Sequence, residues 1–174
     1  MATQAVAWRS LTPVQRDGWS SLGLQMTRTD SLGQTYTLSG FQAYGSVNNN
    51  RSLAGDAAIS VAPTFAIPAP LSGLIPTAVG PSVSLSVAFA PSPLGAAQHI
   101  FLWAGGPNSS GVLFTSFMKQ ILITGAAPVT PLDALADYVA RWGGFVAGER
   151  ITFAAMVYEA GFVSTPFLIA TIAT

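Results

Sequence analysis

His99 is the only histidine in the chain, and it stands at the head of the apolar run His99 to Trp103 with no Asp, Glu or Cys beside it. A serine triad needs an imidazole that a carboxylate orients, and no Gly-x-Ser-x-Gly turn is present to raise a nucleophile. His99 therefore reads as a structural residue. The seven carboxylates, Asp17, Asp30, Asp56, Asp133, Asp137, Glu149 and Glu159, mostly adjoin turn or helix-cap signals. Capping and solvation explain them better than the paired acid and base of glycoside cleavage. The stretch from Gly105 to Gly111 resembles a phosphate-cradling loop only in its glycines: no Lys and no helical pattern follow it. It reads as a hairpin loop. No catalytic, cofactor-binding or metal-ligating residue is expected, and no cofactor.

If the side chains do not point to a reaction, the composition points to a use. Only 8% of the residues are charged and 50% are hydrophobic, against about 25% charged in an average soluble domain. Residues 57 to 118 contain no Asp, Glu, Lys or Arg at all. Such a surface suits burial against other protein, so the expected partners are copies of the chain itself and a neighbouring structural protein. Seven basic and seven acidic residues balance, which removes the electrostatic footprint that nucleic acid or anionic lipid requires. The absence of cysteine excludes disulfides and thiolate chemistry. Prolines 63, 68, 70, 76, 81, 91, 93 and 107 break the charge-free tract, so no apolar run is long enough for a membrane span. The N-terminus lacks the basic start and apolar core of a secretory signal. The protein is expected to remain in the cytoplasm where it is made until it is assembled.

Thr12-Pro13-Val14-Gln15 has the form of a capping box with Pro at the first helical position, predicting a helix from about Pro13 to Leu22. A strand is expected over Thr35 to Leu38. Ser39 can cap a second helix carrying Phe41, Tyr44 and Val47, which the cluster Asn48-Asn49-Asn50 is expected to end. Residues 57–81 read as a Pro-rich extended connector, because prolines at this density forbid helix and discourage central strands. From Val83 the alternation Val83, Leu85, Val87, Phe89 has the period of a half-buried strand. Further strands are expected at His99 to Trp103, Val112 to Ile123, Ile151 to Tyr158 and Phe167 to Ile172. One helix interrupts them, with Thr130 as cap, Pro131 as first residue, an Asp137–Arg141 pair one turn apart and Gly143-Gly144 as stop.

The stretch Trp8 to Trp19 reads W-x2-L-T-x2-Q-R-x2-W, and Leu32 to Tyr44 reads L-G-x-T-x-x-L-S-G followed by an aromatic, before Val47-Asn48. With Tyr138 to Gly143 and Gly148 to Ile151, these patterns resemble uncharacterised bacterial and prophage-associated proteins across most of the chain. The resemblance implies a structural rather than a catalytic family and raises a role in a phage particle; Arg16, Gly33, Gly40 and Gly148 match it as capping or turning residues.

The expected architecture is mainly β: an antiparallel β-sandwich, immunoglobulin-like or jelly-roll-like, over residues 82–174, preceded by a helical arm (1–56) and the connector (57–81), with one inserted helix near 131–142. The expected function is that of a structural virion protein, a capsid decoration or cement subunit acting through apolar subunit contacts. Trp8, Leu11, Trp19, Phe65, Ile67, Leu71, Leu74 and Ile75 are the expected interface residues. A carbohydrate- or receptor-binding module of a tail or surface appendage, or a filament subunit, fits the same composition.

Overall fold

The computed structural model describes residues 2–113 and 117–174. The chain divides into two compact units, Met1–Ile67 with Ala160–Phe162, and Pro68–Glu159 with Val163–Thr174.

In the first unit, α1 (Ala2–Ser10) and α2 (Pro13–Gln25) lead into a small hairpin, β1 (Thr27–Thr29) and β2 (Thr35–Thr37), and then α3 (Gly40–Ala54). The anticipated capping box at Thr12 forms, and the anticipated Ser39 cap forms as a second box with Gln42. Thr12 Oγ1 accepts from the Gln15 N–H at 3.3 Å while Gln15 Oε1 accepts from the Thr12 N–H at 2.9 Å, and Ser39 and Gln42 repeat the exchange at 3.3 and 2.9 Å. Each box satisfies two amide donors that the start of a helix leaves open. Helices α2 and α3 approach closely because Gly23 and Gly40 lie at the contact. A Cβ on Gly23 would run into Leu38 O, just ahead of α3, and one on Gly40 would meet Ser20 Oγ at 2.7 Å.

The Asn cluster does not end α3, which runs on to a left-handed Gly55. Asn ordinarily weakens a helix because its side chain competes for the backbone, but here the amides are engaged elsewhere. Asn48 donates to Ile59 O at 3.1 Å and accepts from the Ile59 N–H at 2.8 Å, and Asn50 donates to Gly161 O at 2.9 Å. Helix α1 packs on α3 through its aromatic residue. Trp8 ties it to α3, its ring lying 5.5 Å from that of Tyr44.

The second unit contains β3 (Gly73–Val79), β4 (Ser84–Ala90), β5 (His99–Gly105), β6 (Asn108–Ser109), β7 (Met118–Ile123), β8 (Leu132–Asp133), α4 (Leu135–Trp142), β9 (Glu149–Glu159) and β11 (Phe167–Ile172), with β10 (Phe162–Val163) paired to β9. All the registered pairings are antiparallel. One sheet has the order β3-β4-β8; the larger is built around β9, which pairs with β5 and β6 along one side and with β11 along the other, while β7 lies beyond β5. The two sheets share one core. Leu74, Ala78, Leu85, Val87 and Phe89 of the small sheet cluster with Ile100, Leu102, Ile151, Phe153, Ala155 and Val157 of the large one. At about 1.5–3 kcal/mol for each large apolar side chain removed from water, this layer is the main stabiliser of the unit. The chain is thus mainly β, antiparallel, and a two-sheet sandwich.

The structure corrects the expected elements of this unit at four places. The Pro-rich stretch is not a connector throughout, since Gly73–Val79 forms β3 with Pro76 opposite Val87. Pro is tolerated there because β3 is an edge strand of its sheet. The glycine-rich loop contains β6, paired with Arg150 and Glu149. The strand expected from Val112 starts at Met118, with residues 114–116 of that expectation outside the described residues. Finally, α4 starts at Leu135 rather than Pro131, because Leu132 and Asp133 pair with Val87 and Ser86 of β4. Thr130 Oγ1 accepts from the Phe89 N–H instead of capping a helix, and the Asp133 carboxylate accepts from the Leu135 N–H at 3.1 Å.

Candidate functional site

Four of the eight residues expected at an interface are interior residues. Trp19 is fully buried, its ring edge-on to Tyr44 at 5.2 Å and its Nε1–H donating to Ser60 O at 2.8 Å. Leu11 belongs to the same core, and Leu71 and Leu74 to the sandwich core. Their apolar surface is consumed within the chain. Trp8 and Phe65 are half-buried against the first-unit core, Phe65 packing edge-on to Phe162 at 5.4 Å. Only Ile67 and Ile75 are broadly exposed, at 59% and 68%. Ile75 projects from the outer face of the small sheet, in register with Ala88, with Thr77 opposite Ser86 on the same face.

His99 has the structural place expected of it. Its Nδ1 lies 2.9 Å from Thr124 O, and since a carbonyl only accepts, the Nδ1–H donates. The ring rests edge-on against Tyr158. The carboxylates are dispersed. Asp30 closes the β1–β2 turn by accepting from the Leu32 and Gln34 N–H groups; Glu149 accepts from the Val146 N–H at 2.7 Å; Glu159 accepts from Gln98 Nε2 at 2.9 Å. Among the described residues the one salt bridge is Arg51–Asp56 at 3.9 Å, so the Asp137–Arg141 pair read from spacing does not form. No group of three or more His, Cys, Asp or Glu is placed to hold a metal ion among those residues. Tyr138 is buried and donates to Gly105 O at 3.2 Å; burial, with the negative charge of Glu149 adding to it, pushes its hydroxyl above the ordinary tyrosine range.

The feature that sequence reading missed is a cleft of about 620 Å³ in the first unit, between α1, the hairpin and α3. That volume lies within the range of small-ligand sites. Arg28 and Tyr36 are directly opposed across the hairpin, so their side chains share a face and form one wall. Helix α3 presents Phe41, Gln42, Gly45, Ser46 and Asn49, which spacing places on one side of the helix, and α1 adds Gln4 and Ala5. Tyr36 and Phe41 are exposed at 44% and 42%. Trp8 stands edge-on to Phe41 at 5.8 Å and holds that ring at the cleft mouth. Arg28 donates to Ser46 Oγ at 3.0 Å, and Gln4 donates to Asn49 Oδ1 at 2.6 Å. The helical spacing of Phe41, Gly45 and Asn49 is visible in the sequence, but the other walls come from α1 and the hairpin, which no spacing along α3 reveals.

No protein-family model matches the chain, and no curated protein matches its sequence. No helix among the described residues is long and apolar enough to cross a membrane.

Proposed function

We propose that the protein is a non-enzymatic structural subunit of an assembled particle, a decoration or cement protein on a phage-type shell, held by contacts to copies of itself and to a neighbouring shell protein. The observation that supports this reading is the outer face of β3 and β4. Gly73, Ile75, Thr77 and Val79 stand opposite Ala90, Ala88, Ser86 and Ser84, an uncharged face of small and apolar residues with Ile75 projecting from it. Such a face loses little on desolvation, whereas each unpaired charge buried there would be costly. Near-zero net charge also lets many copies pack side by side without accumulating repulsion.

The test is the oligomeric state of the purified chain and its co-sedimentation with pre-formed shells. Self-association or shell binding that Ile75→Lys weakens is the expected result. A monomer at micromolar concentration that ignores shells overturns the proposal.

A second reading, a carbohydrate- or receptor-binding module of a tail or surface appendage, is favoured by a different observation: Tyr36 and Phe41 are both solvent-facing and line one cleft. Flat exposed rings with polar groups between them suit ligands that have one apolar and one polar face.

A further inference from the structure

We infer that the first-unit cleft binds a carboxylated sugar, a uronate unit of an acidic glycan; the inference deepens the binding-module reading and rests on it. The lining carries one charged side chain, Arg28, and no carboxylate. Arg28 donates through Nη2 to Ser46 Oγ, which aims the guanidinium along the cleft wall. Its Nε and Nη1 have no partner among the described residues. A planar guanidinium of this kind is suited to a carboxylate, which it can hold through two parallel hydrogen bonds. The first turn of α3, which contributes Phe41 and Gln42, has no acidic residue, so the positive end of the helix dipole adds to the same preference.

The rest of the lining selects among anions. Tyr36 and Phe41 offer ring faces against which the C–H face of a pyranose can lie. Gln42 spends its carbonyl oxygen on the Ser39 cap, leaving its amide N–H groups as donors. Gln4 spends an N–H on Asn49, leaving the Asn49 N–H groups as donors and the Gln4 carbonyl as acceptor. Donors and acceptors of both kinds around two rings match a polyhydroxylated ring better than a plain aliphatic acid or an inorganic anion. Space for the ring depends on Gly45, because a Cβ there would already lie 3.2 Å from Gln4 Oε1.

The experiment titrates the full chain with a galacturonate trimer and with a neutral glucose trimer of the same length, followed by calorimetry and amide NMR shifts. Saturable binding of the acidic trimer is expected, with shifts centred on Arg28, Tyr36, Phe41 and Asn49 and with at least tenfold weaker binding of the neutral one. Arg28→Gln is expected to reduce affinity for the acidic trimer at least tenfold and to remove most of its salt dependence. Gly45→Leu adds no charge and fills the cleft with a good helix former; it is expected to abolish binding while leaving the circular dichroism spectrum intact. Equal binding of the neutral trimer, with the same shifts, overturns the carboxylate assignment but supports the binding-module reading. Stronger binding of a peptide with a free C-terminal carboxylate overturns the sugar assignment. Absence of saturable binding at millimolar trimer, or binding indifferent to both substitutions, overturns the site.

Discussion

The two units solve the same problem, satisfying extended backbone, by opposite means. In the sandwich, backbone amides pair with backbone carbonyls along β9, which is bonded on both sides by β5 and β11. In the helical unit the extended stretch after α3 has no strand beside it, and side chains take the place of the missing ladder. Asn48 exchanges two hydrogen bonds with Ile59 as a neighbouring strand would, and the Trp19 indole supplies a donor to Ser60 O. A buried backbone group left unpaired costs about 1–3 kcal/mol, so Asn48, only 3% exposed, is an anchor for the chain that follows it. The sandwich uses the same device at the margins of its ladders: Thr130 Oγ1 accepts from the Phe89 N–H, Thr124 Oγ1 accepts from the Ile100 N–H and, where pairing lapses between β10 and β11, the Ser164 hydroxyl accepts from the Val157 N–H at 3.0 Å. The difference teaches that a Pro-rich, uncharged segment can be ordered without joining a sheet when a helix offers it amide and indole groups.

The contrast can be broken most sharply in the two cores. Trp19→Ala and Phe153→Ala each delete a fully buried ring, and each is expected to cost about 3–5 kcal/mol in urea unfolding. Hydrogen exchange should localise the damage, to α2, α3 and residues 59–62 for the first and to β5, β9 and β11 for the second. Uniform loss of protection in both variants would mean that the two units do not hold their structure separately.

Smaller effects sharpen the point about side chains replacing a ladder. Asn48→Leu keeps the branched four-atom side chain but strands the Ile59 N–H and C=O, and is expected to cost about 1–3 kcal/mol for each group left unsatisfied. Ser164→Ala strands the Val157 N–H, while the Thr165 carbonyl that also loses its hydroxyl donor belongs to an exposed residue and can turn to water, so it should cost less than Asn48→Leu. Equal losses would undo the distinction between the units. Thr12→Ala removes a capping-box acceptor and is expected to cost about 1 kcal/mol in thermal or urea unfolding.

A change of similar size is expected from Tyr138→Phe, about 1 kcal/mol at neutral pH for the bond to Gly105. Its signature is its pH dependence. Below about pH 10 the phenol is neutral in both folded and unfolded chains, and its contribution is fully present. Above that, the unfolded chain releases the proton while burial keeps the folded hydroxyl protonated, so stability falls as pH rises. Unfolding curves from pH 8 to 11 should therefore converge for the wild type and Tyr138→Phe as alkalinity increases. A constant gap would show that Tyr138 ionises normally.

Legibility in the sequence followed the range of the forces. The capping box at Thr12, the helix cap at Ser39 and the alternation through Leu85, Val87 and Phe89 are contained within a few residues, and they fold as read. Strand β11 coincides with the reading from Phe167 to Ile172. Errors arose where a distant partner outweighed a local signal: β4 captured Leu132 and Asp133 from the start of a plausible helix, and Ile59 occupied the Asn48 amide that would otherwise have loosened α3. The cleft was invisible for the same reason. Its wall joins Arg28 and Tyr36, opposed across a hairpin, to Phe41, Gly45 and Asn49 on a helix.

Local residue patterns set the periods: where apolar side chains recur every second residue, where hydroxyls and amides can cap, and where charge is absent. These follow from backbone geometry that repeats within a few residues. Which apolar residues are buried came instead from long-range packing, which places Trp19, Leu11, Leu71 and Leu74 in cores and leaves Ile75, Tyr36 and Phe41 in solvent. Burial depends on what packs from elsewhere in the chain, and hydropathy alone carries no record of that partner.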